Sequence, residues 1–533
     1  METGNEHVKR IWQGAILLSI AAIITKVLSA AYRIPYQNIA GDIGFYVYQQ
    51  VYPFYGIALI LSIYGFPVVI SKILSEHGKD REQQRIVVVI SFYVLMFVSL
   101  VSFALVYFGA GAVAQFMGDK QLKFPLQVTA FSFLMIPFLS VLRGYHQGNE
   151  NMKPTAVSQV GEQFARVLLI IVFAYYFISY GPYAAGTGAA LGSVLGALIG
   201  IMVLFVYFLK SEKLSYFRLH TNWRLIREIT SRLFKDSLLI CFSALVFVFF
   251  QLIDALTLIR ILQDGGWTVE GAKITKGIFD RGQPLLQLGT VIATAFSLAL
   301  VPMISKAKAK RDNDTVKKQS ELALRLTFIV SLSAAVGLAI VIGPTNAMLF
   351  TDRSDSNVLA VLGFTILFSS IVMTTAAILQ GYGHMKAPAF HVVIGLIVKL
   401  ICNLLFVSHL GTMGAAIGTV AGFFIIAVLN LRYLQRIHTI FTGYKAIYIR
   451  VVLSVLIMSV VTYLWKNGME TFVIPMEATR FQETVLALSS VSVGAIVFLF
   501  CILRFEIFAP DEMSVIPKGE KLNSLQNILK KER

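Results

Sequence analysis

Apolar residues come in runs near twenty residues long, broken by short polar stretches, along almost the whole chain. A run of that length spans about 30 Å of hydrocarbon as a helix. The pattern predicts fourteen transmembrane helices, at 12–33, 47–71, 86–108, 123–145, 156–178, 183–209, 237–261, 281–304, 322–344, 357–380, 388–408, 412–434, 446–466 and 482–504. The expected class is an all-α integral membrane protein with no large soluble domain. Hydrophobic residues make up 56% and charged ones 14%, well below the quarter typical of soluble domains.

Part of the pattern is written twice. Gln147-Gly148 with Met152-Lys153 and a lone Arg166 returns, 233 residues on, as Gln380-Gly381 with Met385-Lys386 and Lys399. The Gly188/Gly192/Gly196 row returns as Gly414/Gly418/Gly422, and Pro67 with Ile70-Ser71-Lys72 as Pro302 with Ile304-Ser305-Lys306. Ordered echoes in apolar sequence are expected of transporter halves with a ligand site between them. They divide the chain into a lobe at 1–209, a basic linker at 210–236, a second lobe at 237–434, two appended helices at 435–509 and a tail at 510–533. The linker carries Lys210, Lys213, Arg218, Arg224, Arg227, Arg232 and Lys235; a solvated loop is the expectation, with a short amphipathic helix on headgroups as the alternative.

Charge changes the picture in two ways. Most of the 46 Lys and Arg fall on one side of the spans, which places both termini in the cytoplasm. The net charge of +17 is then mainly topology and calls for no nucleic acid. Second, some charges fall inside spans, where they mark a cavity or a partner. Span one aligns Ser19, Lys26, Ser29 and Arg33 on one stripe, and span eight aligns Asp280, Gln283, Gln287, Thr290, Thr294 and Ser297. Span five carries Glu162 and Arg166 at i,i+4 spacing; span eleven carries His391, Lys399 and Asn403. Glu162 and Arg166, as i,i+4 neighbours, can pair, and Asp280 lies beside Arg281. Asp254 in span seven and Glu162 are the candidate ion-coupling groups. The net interior is positive, which suits an anion, and arginine adds bidentate contacts to phosphate oxygens.

Catalytic chemistry finds little support. Asp312 and Asp314 sit among lysines with no catalytic domain around them, and Cys241, Cys402 and Cys501 lie in apolar runs without metal-ligand spacing. No enzyme activity, cofactor or metal is expected.

Three stretches carry a family resemblance: Thr25-Lys26-Val27-Leu28-Ser29 with Tyr32-Arg33-Ile34-Pro35; Asp280-Arg281 with Pro284, Gly289 and Leu300-Val301-Pro302; and the paired Gln-Gly-x3-Met-Lys motif. On these the chain resembles the polysaccharide-exporter and MurJ-like lipid-linked oligosaccharide flippases of the MATE-like (MOP) superfamily, of the stage V sporulation protein B type. Two positions depart from the pattern: Ser29 stands where glycine is usual, and the second basic residue of span one is displaced by one, to Arg33.

The resemblance implies two six-helix lobes around a cationic cavity, with the last two helices forming a groove for a polyprenyl tail. It implies pyrophosphate binding by Lys26 and Arg281. With the interior polar groups, the expected substrate-binding set is Lys26, Ser29, Arg33, Arg166, Asp280, Arg281, Gln287 and Lys399. The expected activity is alternating-access export of an undecaprenyl-pyrophosphate-linked saccharide across the cell membrane by a monomer. Cell-wall or polysaccharide synthesis enzymes are candidate partners. A cation-coupled multidrug antiporter and a membrane enzyme or scaffold are the alternatives. The antiporter would make Asp254 or Glu162 essential and Lys26 dispensable.

Overall fold

The structure is a computed structural model. It describes residues 2–77, 80–211, 223–291, 293–294, 300, 304, 308, 312–437, 445–472, 478–508 and 526. Lys213, Arg218, Ser297, Pro302, Ser305, Lys306 and most of the tail beyond 509 lie outside these residues. The described residues are helical, with no strand among them.

The helices are α1 (Glu2–Ala31), α2 (Arg33–Ile60), α3 (Phe66–Glu76), α4 (Arg81–Phe116), α5 (Lys123–Leu134), α6 (Ile136–Gly148), α7 (Lys153–Phe177), α8 (Pro182–Ser211), α9 (Trp223–Ala244), α10 (Val246–Asp264), α11 (Val269–Asp280) and α12 (Gly282–Gly289). They continue with α13 (Asn313–Phe350), α14 (Ser356–Gly363), α15 (Thr365–Gly381), α16 (Lys386–Leu410), α17 (Thr412–Ile437), α18 (Lys445–Phe472) and α19 (Arg480–Arg504). Local chemistry fixes several starts. The Asp80 carboxylate accepts from the backbone of Glu82 and Gln83, Thr268 accepts from Gly271, and Thr479 forms a capping box with Gln482, each satisfying donors that a helix start leaves open.

Twelve segments among the described residues are long and apolar enough to cross a membrane. The first, Ile16–Glu76, contains two of the expected spans. Its break is at Gly41 (φ 68, ψ −179), backbone territory that glycine alone occupies easily. Further on, a π-helical turn at Leu61–Gly65 joins α2 to α3. The expected eighth span, 281–304, is only partly described and begins as the short α12. The connection between the expected seventh and eighth spans contains α11.

The chain forms two compact units: Met1–Val291 with Gly383–Ile426, and Ile292–Tyr382 with Ala427–Arg533. In the first, one core gathers Phe66, Ile70, Ile73, Phe133, Ile136 and Val141; another gathers Tyr32, Tyr36, Tyr48, Tyr52, Ile170 and Ala185. The repeated glycines set helix spacing. A Cβ on Gly192 would lie 2.9 Å from the Ile170 nitrogen, and one on Gly414 2.6 Å from the Phe406 carbonyl carbon, so α8 meets α7 and α17 meets α16 backbone to backbone. In the second unit Arg353 bridges Glu470 and Glu483, both at 2.8 Å, tying the α13–α14 turn to α18 and α19.

Candidate functional site

All the predicted site residues lie in the first unit. The polar stripes of α1 and α12, read separately in the sequence, meet there. The Lys26 ammonium donates to the Thr290 hydroxyl at 3.1 Å. With the Gln287 amide turned so that its oxygen faces the guanidinium, Arg33 donates to it at 2.8 Å. Ser29 is half-buried one turn beyond Lys26. Gln283, on the same short helix as Gln287, accepts from Gln251 of α10 at 2.7 Å.

The carboxylates pair differently from their nearest neighbours in sequence. Glu162 accepts from Arg143 of α6 at 2.6 Å, not from Arg166. Arg143 is held further by the Ser62 carbonyl (3.1 Å) and the Ser158 hydroxyl (3.4 Å). Asp280 pairs with Lys276, one turn back on α11, at 2.5 Å, while Arg281 turns to Asp42. Successive helical residues point about 100° apart, so Asp280 and Arg281 face different partners, whereas i,i+4 residues share a face. Arg281 Nη2 reaches both Asp42 oxygens at 2.8 Å and Nε reaches Oδ1 at 3.0 Å. Asp254 meets the Lys399 ammonium at 2.6 Å. Lys399 also donates to the Ala415 carbonyl and the Thr419 hydroxyl, each at 2.8 Å, and Asn403 donates to Asp254 at 2.9 Å. Asp119, outside the expected set, faces Lys273 at 3.1 Å and the hydroxyls of Tyr46 and Tyr183.

Two buried cations differ from these. Arg33 and Arg166 are 0% exposed, and among the described residues neither has a carboxylate within ion-pair distance. Arg166 instead donates to the hydroxyls of Tyr32 (2.9 Å) and Tyr48 (3.0 Å) and to Gln163 (3.2 Å). Its guanidinium lies 4.5 Å from the Tyr55 ring centre, and that of Arg33 lies 4.6 Å from the Tyr52 ring centre. Ring faces attract a cation without neutralising it. Tyr32 and Tyr48 share a 2.7 Å hydroxyl contact, which completes a tyrosine box. This part of the site is therefore positive overall and rich in donors, an arrangement suited to an anion rather than a cation.

Sequence reasoning missed Asp42, Arg143 and Lys276. Only Lys276 carried a local signal, its i,i+4 spacing to Asp280. Among the described residues no cluster of His, Cys, Asp and Glu has metal-site geometry.

The sequence matches the polysaccharide biosynthesis protein family model over residues 11–308 and the MatE model over 240–405. It is 40% identical to the uncharacterized membrane protein YabM of Bacillus subtilis over 96% of both chains. Stage V sporulation protein B of the same organism is 27% identical over 95% of this chain and 97% of its own. Lipid II flippase MurJ, again from B. subtilis, is 24% identical over 92% and 95%. A solved structure of lipid II flippase MurJ in an inward closed conformation superposes with a TM-score of 0.67, at 16% identity, over 91% of this chain and 98% of that one. Of these relatives, lipid II flippase MurJ is the one whose name states an activity. This multi-pass membrane protein, with its MATE- and MurJ-like helical fold, belongs to the polysaccharide biosynthesis protein family.

Proposed function

We propose that the protein carries an undecaprenyl-pyrophosphate-linked saccharide from the inner to the outer leaflet of the cytoplasmic membrane, with both termini cytoplasmic. In this reading residues 1–209 and 237–434 are the two lobes that alternate access, and the chain moves cargo without changing it chemically. The headgroup's pyrophosphate binds among Lys26, Arg33, Arg166 and Arg281, with Ser29 and Gln287 as neutral donors. The observation that carries this reading is the pair of fully buried arginines, Arg33 and Arg166, with hydroxyls, amides and ring faces around them in place of carboxylates. Buried charge without a counter-charge is costly, and a doubly anionic phosphate ester would supply one. A cation-coupled antiporter would call for an interior carboxylate with no basic partner. Among the described residues, the buried carboxylates of the first unit each face a lysine or arginine.

Native mass spectrometry of the detergent-purified protein tests this. Undecaprenyl pyrophosphate and its saccharide conjugates are expected to bind wild type and to bind Lys26→Ala and Arg33→Ala far more weakly. Equal binding by all three proteins would sink the assignment.

A further inference from the structure

Asp42 has no place in the reading above, yet it holds one of the cations that reading uses. Its carboxylate takes the Arg281 guanidinium through three contacts of 2.8–3.0 Å, the side-on geometry that a phosphate would also adopt. Gln37 donates to Asp42 Oδ1 at 2.9 Å. Arg281 is fully buried, whereas the Asp42 side chain keeps 21% of its surface exposed. Asp42 is thus the half of the pair that can leave into water.

Two glycines frame this contact. Gly41, immediately before Asp42, holds a positive φ with open space where a Cβ would go, so it is a joint rather than a packing position. On the other side, Gly277 of α11 lies against the Asp42 backbone so closely that a Cβ there would collide with the Asp42 carbonyl oxygen.

We propose that Asp42 is an internal competitor for the anion site: a phosphate-bearing headgroup reaches the Arg281 fork only by displacing this carboxylate, and the segment swings away about Gly41. The proposal rests on the anionic-lipid reading. It adds that binding the cargo and releasing the Asp42 segment from α11 are one event. A monoanion would gain too little from one arginine to displace a carboxylate held at three points, so the competitor would also select for multiply charged headgroups.

The test uses the full-length protein and undecaprenyl pyrophosphate, with hydrogen–deuterium exchange across residues 37–48 as a second readout. Asp42→Asn removes the competing charge, and Gly277→Ala pushes the segment off without altering charge. Both are expected to bind undecaprenyl pyrophosphate at least about fivefold more tightly, the scale of an ordinary coupling between sites. Both should also exchange faster across 37–48, as should wild type when lipid is added. Circular dichroism and size exclusion check that each variant is folded. If wild type binds and Lys26→Ala does not, while neither new variant gains affinity, the competitor is refuted and the proposed function stands. If wild type binds no lipid, the proposed function fails. Unchanged exchange in both variants would then overturn the Asp42 contact as a releasable latch, and faster exchange would retain it.

Discussion

Arg166 and Lys399 occupy the same position in the two copies of the duplicated sequence and are equally buried, yet their partners differ in kind. Lys399 faces a carboxylate, Asp254; Arg166 faces two tyrosine hydroxyls and an amide. The neighbouring echo extends the parallel. Lys399 donates to Thr419, and the repeat-equivalent Ser193 lies 3.5 Å from the Tyr48 hydroxyl that Arg166 uses. One copy therefore neutralises its cation and the other does not.

Lys399→Met should destabilise the protein by about 3–5 kcal/mol, because it leaves Asp254 buried without a counter-charge. The double variant Lys399→Met/Asp254→Asn should recover part of that loss. Thermal unfolding in detergent is the measurement; a single variant as stable as wild type would mean the pair contributes nothing to the fold.

Tyr48→Phe removes an acceptor of Arg166 and the partner of the Tyr32 hydroxyl. A hydrogen bond to a charged group is worth about 1.5–3 kcal/mol, so a loss of that order is expected in the same assay. Tyr32→Phe should behave alike, and the double variant should cost less than the sum, since the two hydroxyls share one network.

Gly192→Ala forces a methyl against the Ile170 nitrogen and the Leu169 carbonyl carbon. Overpacking of this sort costs about 1–3 kcal/mol. Gly109 in α4 has open space at its Cβ position, so Gly109→Ala should be neutral or stabilising by about 0.5–1 kcal/mol. Paired unfolding curves decide; the same response at both sites would show that backbone contact is not what distinguishes them.

Arg353 is 41% exposed in its pairs with Glu470 and Glu483. Exposed pairs are worth about 0.2–1 kcal/mol and weaken with salt. Arg353→Ala should therefore lower the unfolding midpoint slightly at low ionic strength. In molar sodium chloride its curve should approach that of wild type; a difference that persists in salt would point to packing instead.

Much of this was legible along the chain. Run length gives the membrane class, the repeat gives the equivalence of Arg166 and Lys399, and 3- and 4-residue spacing gives the stripes of α1 and α12. What spacing cannot supply is the partner across the unit. Arg143 reaches Glu162 from another helix, and Asp42 reaches Arg281 across 239 positions. Nearest-neighbour reasoning pairs Glu162 with Arg166 because i,i+4 residues share a face, but Tyr32, between α1 and α2, and the tyrosines of α2 claim the guanidinium first. The first two spans merge in the structure because the helix re-forms on either side of Gly41, and a hydropathy plot carries no record of a dihedral angle.

The π-helical turn at Leu61–Gly65, closed by the bond from the Phe66 N–H to the Leu61 carbonyl, changes what the surrounding segment can tolerate. Before it, Tyr48, Tyr52 and Tyr55 pack with Ile170, Ala174 and Ala185 of α7 and α8. After it, Phe66, Ile70 and Ile73 pack with Phe133, Ile136 and Val141 of α5 and α6. The widened turn holds one residue more than a regular helix would, which rotates everything downstream by about 100°. One passage of chain thus serves two neighbours on different sides. The turn lets a chain one residue longer than a regular helix keep α3 facing α6; forcing regular helical geometry through this stretch without removing a residue would turn the face of α3 away from α6.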